Sequence, residues 1–182
     1  MKYILPFLFM ICMGLQVCNA QKMNGWREDN RTGVSSETGL LKVWPAEGPN
    51  LLWTCLDLPK GNSSVSFGNN TIYITGTRDT TEVLVALDMN GKTLWQTGMG
   101  RAWNGSNPES RATPTFEWNR IYTCSGMGDL ACIDGTGGQV IWLYRASEQN
   151  KGTYGMWGIA ESLLADGNES CFAWRSASFC LP

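Results

Sequence analysis

The sequence contains no histidine, and this absence excludes several kinds of site. Catalytic triads and the commonest general base both need His. The chain also lacks a Cys-x-x-Cys spacing and any cluster of carboxylates, so we expect neither a metal site nor catalytic residues. Charged residues are only 16% of the chain, with 14 basic against 16 acidic and no basic run. Nothing in the composition therefore suggests an anionic membrane surface as a partner, and we expect no nucleic-acid partner.

The most informative stretch of the chain, residues 86–95, has a second copy at residues 132–142. Asp88 and Asp134 lie 46 positions apart, and Trp95 and Trp142 lie 47 apart. A period in this range, with strands between, is typical of propellers and other stacked repeats. Two unrelated hairpins that share an Asp-Gly turn are the alternative. Because Asp, Gly and Trp recur in the same order, the repeat is favoured.

Each copy predicts a strand ending in Asp, a Gly-bearing turn and a strand that carries Trp. The Asp side chain can bind the turn backbone, and Gly supplies the positive φ that other residues adopt with strain. A small residue before the Asp leaves room for packing, and the Trp brings a large apolar area to a neighbouring unit. The predicted structural docking residues are Ala86, Asp88, Gly91, Trp95, Cys132, Asp134, Gly138 and Trp142.

The flanking segments repeat as well. Residues 70–76 match 119–126, a β-branched and aromatic strand closed by Gly, and residues 62–67 match 111–116. Each unit thus holds four short antiparallel strands, which is one propeller blade. We predict an all-β fold: an incomplete β-propeller with four-stranded antiparallel blades, about two to two and a half in number.

These residues resemble the tryptophan-docking motif A-x-D-x-x-T-G-K-x-x-W of pyrroloquinoline-quinone (PQQ) type propellers. Residues 132–142 have its length, with Cys132 for Ala, Gly137 for Thr and Gln139 for Lys, whereas residues 86–95 are one position short. Residues 25–34, 39–45, 48–53 and 111–115 look like those of secreted bacterial PQQ-like repeat proteins. The resemblance runs from about Gly25 to Asn168 and implies a PQQ-like propeller.

The resemblance implies two classes of function. One is a binding or scaffold propeller, similar to the propeller lipoprotein of the outer-membrane assembly machinery, with a protein or small-molecule ligand of the cell envelope as partner. The other is a quinoprotein alcohol dehydrogenase, in which PQQ and Ca²⁺ lie at the channel. The adjacent Cys pair of those enzymes is missing here, so we expect no cofactor, and PQQ with calcium only under this alternative. An inactive gene fragment is the third interpretation.

The chain divides into four segments. Residues 1–20 predict a secretory signal cleaved after Ala20, because an apolar run of fifteen residues is shorter than the roughly 20 that span a bilayer. Lipid attachment at Cys18 and a retained anchor are the alternatives to a periplasmic or extracellular protein. Residues 21–50 predict an irregular segment and 51–168 the blades, with Leu51–Trp53 as an outer strand. Residues 169–182 predict an aberrant tail without the docking motif.

Three polar residues align with innermost strands and are the predicted channel-lining contacts: Arg111, Thr113 and Glu161. Solvated strand ends are the alternative interpretation for all three. Cleavage after Ala20 would leave five of the seven cysteines, and their pairing stays open: Cys55, Cys124, Cys132, Cys171 and Cys180. An odd number in an exported chain leaves at least one thiol free.

The number of blades predicts a further property. Propellers close with roughly four to eight blades, and this sequence encodes little more than two. We expect a truncated or frameshifted copy of a longer protein, with a complete but divergent short protein as the alternative. Because each blade needs neighbours on both sides, the chain is expected to expose strand edges and to self-associate rather than form a stable closed monomer.

Overall fold

The computed structural model describes residues 24–28, 31–35, 37–153, 155–166, 169–174 and 177–181. The predicted signal at 1–20, with Cys18, lies outside the described residues, as does Asn168, the predicted end of the blades. Within the described part of the chain, no helix has the length and apolarity that a membrane crossing requires.

The described chain forms two four-stranded antiparallel sheets whose strands follow each other in sequence order. The first sheet contains β1 Ser66–Gly68, β2 Thr71–Arg78, β3 Thr81–Asp88 and β4 Thr93–Arg101. The second contains β5 Thr115–Glu117, β6 Arg120–Cys124, β7 Asp129–Asp134 and β8 Val140–Arg145, followed by the short helix α1 Ala146–Gln149. These are the up-and-down blades predicted from the repeat, and the predicted incomplete all-β propeller is confirmed.

The sheets pack face to face, which explains why their central strands are apolar on both sides. Strands β3 and β7 are buried over nearly their whole length, as expected for strands covered on both faces. The cluster between the two sheets consists of Tyr73, Leu84, Ala86, Met99, Phe116, Ile121, Ala131 and Ile133. Each blade therefore completes the core of its neighbour, and neither buries its apolar surface alone.

A third, smaller sheet continues the stack beyond the second blade. It contains β9 Leu164–Asp166, β10 Glu169–Trp174 and β11 Ala177–Leu181 in antiparallel order. Its Leu163 and Ala165 share a buried cluster with Tyr122 and Leu130 of the second sheet. The sequence pattern indicates no regular strand beyond residue 168, yet two strands form there. A disulfide between the directly opposed Cys171 and Cys180 joins them.

The predicted outer strand at Leu51–Trp53 is wrong. Residues 51–59 form no strand, and Leu51 and Leu52 are 82% and 87% exposed. This stretch forms no backbone ladder with a strand. The first β-bridge after it joins Lys60 to Thr77. Trp53 is held by side-chain packing instead, because its ring lies on the turn at Gly91.

The other three cysteines within the described part of the chain are free. Cys124 and Cys132 are buried in the cluster between the second and third sheets, and Cys55 is half-buried beside the first. Burial raises the pKa of the Cys132 thiol to about 11 and that of Cys124 well above its usual range. Both thiols are therefore neutral packing groups, since the thiolate is the reactive form.

Candidate functional site

In both docking turns the Asp side chain accepts backbone N–H groups of the turn that follows it. Asp88 Oδ1 accepts the backbone N–H groups two and four residues further on, at 2.8 and 2.9 Å. Asp134 Oδ2 accepts the backbone N–H groups of the residues two and three positions further on, at 3.1 and 2.8 Å. Gly91 and Gly138 close the turns with φ values of 81° and 73°. A side chain in that region is strained, so each Asp-Gly pair fixes the path from the third strand of a blade to the fourth.

A tryptophan from the preceding unit packs on each of these glycines. A Cβ at Gly138 would lie 2.6 Å from the ring of Trp95, and a Cβ at Gly91 would lie 2.6 Å from the ring of Trp53. Both rings thus occupy the space that any other residue would need for its side chain. The structure brings Trp95 of the first blade onto the predicted turn of the second.

The small residue of each repeat pairs directly with the tryptophan of the next strand. Ala86 is opposite Trp95, and Cys132 is opposite Trp142. Trp95 lies 6.0 Å from Tyr73, and the equivalent Trp142 lies 6.2 Å from Tyr122, with closely similar tilts of 43° and 46°. Trp142 packs against the cluster shared with the third sheet. The repeat is therefore a packing unit that occurs twice within this chain.

The three predicted channel residues lie just before strands rather than within them. Strand β5 begins at Thr115 and β9 at Leu164, so Arg111, Thr113 and Glu161 belong to the segments that lead into these strands. The Nη2 group of the half-buried Arg111 donates to a backbone carbonyl at residue 157. Glu161 is exposed.

Thr113 is buried and joins three units. Its Oγ1 accepts the N–H of Ser64 at 3.2 Å, and its own N–H donates to Ser162 Oγ at 3.0 Å. With 2% exposure, Thr113 has little surface to offer a ligand. The segments that lead into the innermost strands of all three sheets therefore lie side by side here.

A buried carboxyl at the seam between the first two blades was not predicted from the sequence. Glu82 is fully buried, and its Oε1 accepts the N–H of Gly126 at 2.8 Å. Burial raises the pKa of Glu82, although the Gly126 N–H, the Ser110 hydroxyl, the Trp103 N–H and the charge of Arg111 all favour the ionised form. The only signal in the sequence is one acidic residue within the otherwise apolar run of β3.

This raised pKa links stability to pH. The folded chain holds the Glu82 proton more tightly than the unfolded chain, whose carboxyl pKa is near 4.5. The contribution of Glu82 to stability is therefore complete below about pH 4.5. It falls as the pH rises through the raised pKa. The contact between the two blades is therefore less stable when the Glu82 carboxylate is charged.

An ion pair crosses the same seam nearby. Arg101, at the end of β4, donates to the Asp129 carboxylate through Nε at 2.9 Å and Nη2 at 2.6 Å, and its backbone N–H adds a third bond at 2.9 Å. Asp129 is 1% exposed. A buried carboxylate with a bidentate arginine is fully compensated, so this pair orients the two blades.

The described residues do not fit a calcium-dependent quinone site. Among them, no three side chains of His, Cys, Asp or Glu converge to hold a metal ion. The buried carboxylates Glu82 and Asp129 are instead bound by a backbone N–H and by an arginine.

Comparison with known families agrees with the architecture. The family model described as outer membrane protein assembly factor BamB, a PQQ repeat model, matches residues 79–172. This range is just over half of the chain, and it runs from the start of β3 into β10. A search of the curated proteins gives no match. The repeat geometry and the family model together show that this chain belongs to the family of PQQ-like β-propeller repeat proteins.

Proposed function

We propose that this chain is an exported propeller module that binds a protein partner of the cell envelope and has no catalysis of its own. The observation that carries the proposal is a group of exposed apolar side chains in residues 40–56, which we name the apolar segment. Its members are 64–91% exposed and comprise Leu40, Leu41, Val43, Trp44, Leu51, Leu52 and Leu56. Contiguous exposed apolar surface of this kind marks interaction sites.

The energetics favour a partner for this segment. Full burial of one large aliphatic side chain contributes about 1.5–3 kcal/mol, so a partner that covers only part of the set gains enough for stable binding. Trp44, at 64% exposure, is the natural anchor, since aromatic residues dominate the energy of interfaces. The fitting partner presents an apolar groove to an irregular stretch of chain.

Crosslinking in cells of the source organism tests the proposal. A photo-reactive residue replaces Leu52, and the same residue replaces Trp118 in a matched control, since Trp118 is 48% exposed in a turn of the second blade. We expect one discrete crosslinked protein from position 52 only. Leu51→Asp and Leu56→Asp should abolish it without changing the circular dichroism spectrum. Equal crosslinks from both positions, or none from either, would contradict the proposal.

The same cells allow a second test, which distinguishes a binding module from a dehydrogenase. Addition of PQQ with Ca²⁺, followed by an alcohol and an artificial electron acceptor, should give neither a bound-quinone spectrum nor acceptor reduction. A saturable quinone spectrum would favour the enzyme interpretation. This conclusion would hold for any result of the crosslinking experiment.

A further inference from the structure

Residues 53–58 cover the face of the first sheet that lies away from the second sheet. Alternate residues of a strand point to opposite faces, and the buried cluster on this face consists of Ile72, Val83, Val85 and Leu87. Cys55 and Leu58 pack against that cluster from outside the sheet. The stretch therefore covers the surface that a preceding blade covers in a longer stack of repeats.

The contacts of this stretch repeat those that β4 makes with the second blade. Trp53 lies on the turn at Gly91, because a Cβ there would lie 2.6 Å from its ring. Trp95 of β4 lies on the turn at Gly138 at the same distance. From its tryptophan, each stretch continues into the apolar cluster of the sheet that it covers. Residues 51–58 therefore occupy the place of the fourth strand of a preceding blade.

The backbone of this stretch is straight and unpaired. None of residues 50–59 forms a turn or a bend, and none has a positive φ. Within the described part of the chain, no backbone–backbone hydrogen bond joins residues 51–58 to another residue. Leu51 and Leu52 are 82% and 87% exposed. The stretch thus has the position of a fourth strand but no sheet with which to pair.

The third sheet is one strand short of a blade. Its strand order is β11-β10-β9, and among the described residues β11 pairs only with β10. Counted from the first hairpin of each sheet, its paired residues correspond to those of the second sheet: Leu164, Cys171 and Cys180 to Thr115, Tyr122 and Cys132. Cys180 thus has the position of Cys132, which pairs with Trp142 on the fourth strand. The strand missing beside β11 is one that carries a tryptophan.

We infer that residues 51–57 of one copy of this chain complete the third sheet of a second copy as its fourth strand, with Trp53 opposite Cys180. Backbone hydrogen bonds to the free edge of β11 supply the affinity, as in other cases of strand addition. Each stretch stays on its own first blade, so the third sheet of one copy stacks on the first blade of the other. The inference rests on the function proposed above, because it names the partner of residues 51–56 in the apolar segment.

The number of sheets limits the closed assembly to two copies. Each copy supplies three sheets from the described part of the chain. Propellers close with roughly four to eight blades, so two copies fall within this range, whereas one copy and three copies fall outside it. The contact is head-to-tail, and contacts of this kind form a ring when the rotation closes. The product is a six-bladed propeller of two chains with two identical joints.

Light scattering on the purified chain tests the strand pairing. We expect one species of twice the chain mass, and a monomer would overturn the inference. Leu51→Pro together with Leu52→Pro should give a monomer, because proline cannot donate to a backbone ladder although it remains apolar. Leu40→Pro together with Leu41→Pro is the matched control, since both residues are 68% exposed in the same apolar segment. It should keep the dimer.

The two proline variants separate strand pairing from general adhesion of apolar surface. Circular dichroism should show that the blades fold in both. Equal masses for the two variants would overturn the inference, because adhesion without a backbone ladder does not depend on where the prolines lie.

Disulfide trapping tests the register and the closure. With Trp53 opposite Cys180, the free Cys55 lies opposite position 178 of the second copy. Opposed residues of antiparallel strands have Cα atoms about 4.5–5.5 Å apart, which suits a disulfide. Ser178→Cys should therefore oxidise to a covalent dimer. Ala177→Cys should not, because neighbouring residues of a strand point to opposite faces.

The sizes of the trapped products distinguish a ring from a filament. A closed ring gives products that stop at the dimer, whereas an open head-to-tail filament gives a ladder of larger products. Such a ladder would overturn the six-bladed closure. Equal trapping by Ser178→Cys and Ala177→Cys would overturn the register.

The crosslinking experiment at position 52 distinguishes a failure of this inference from a failure of the proposed function. A crosslinked product of twice the chain mass supports both. A product of any other mass, together with a purified chain that stays monomeric, supports the proposed function and overturns the inference. Absence of any product from position 52 would overturn both.

Discussion

The contact between Trp95 and Gly138 offers a direct test of how the blades hold together. Trp95→Ala removes a half-buried ring that lies on the next blade, beside Tyr73 at 6.0 Å. Complete burial of a Trp is usually worth about 3–5 kcal/mol in such substitutions, and the partial exposure of this ring places it near the lower end. We expect a loss of about 3 kcal/mol in the free energy of unfolding.

Gly138→Ala perturbs the same contact at the glycine on which the Trp95 ring packs. Its Cβ would lie 2.6 Å from the Trp95 ring, and overpacking of this kind costs about 1–3 kcal/mol. The φ of 73° adds about 1–2 kcal/mol of backbone strain. The expected total is about 2–5 kcal/mol. When the ring is absent, the backbone part remains, together with an approach of 2.9 Å between the new Cβ and Thr97 Oγ1.

The double variant decides whether the two residues act through one contact. Because Trp95→Ala removes the ring with which the new methyl collides, the two losses should sum to more than the double variant shows. We expect a coupling of about 1–2 kcal/mol, measured by urea unfolding followed by far-UV circular dichroism at one protein concentration. Trp118→Ala is the control, and with the ring exposed in a turn its change should be near zero. Additive losses, or a neutral Gly138→Ala, would refute the docking geometry.

Three other outcomes are expected. The thermal midpoint of the parent should decrease as the pH rises above 4.5, and Glu82→Gln should flatten this decrease because the amide cannot ionise. Cys180→Ser should cost about 2–4 kcal/mol and speed amide exchange in β10 and β11 but not in β2 or β3, because the disulfide joins only the third sheet. Light scattering should detect species larger than a monomer, because the apolar segment is exposed. An unchanged pH profile in Glu82→Gln, uniform exchange in Cys180→Ser, or a monodisperse monomer would each contradict the corresponding prediction.

The periodic part of the fold could be predicted because its physics is local. A turn that needs an Asp acceptor and a positive φ leaves a readable pattern at Asp88 and Gly91, and it recurs at Asp134 and Gly138. The tryptophans recur at nearly the same interval. Two repeats were enough to predict four-stranded blades and their order.

The unpredicted features are those decided by distant partners. Glu82 and Gly126 meet only because two blades stack, so no spacing in the chain indicates their bond. The pairing of Cys171 with Cys180 depends on a hairpin that lacks the repeat pattern. Residues 51–59 form no backbone ladder. Trp53 within them predicts a strand, because the sequence does not show whether a neighbouring strand pairs with this stretch.

Asn24 and the docking tryptophans join the blades at different strands. Trp95 fastens the fourth strand of one blade to the turn of the next, whereas Asn24 fastens the short first strands of both. Strands β1 and β5 have only three residues each, so few backbone bonds hold them. A peptide across their ends adds bonds where the sheets have fewest. The contacts of Asn24 are therefore part of what holds the inner strands of the two blades in place.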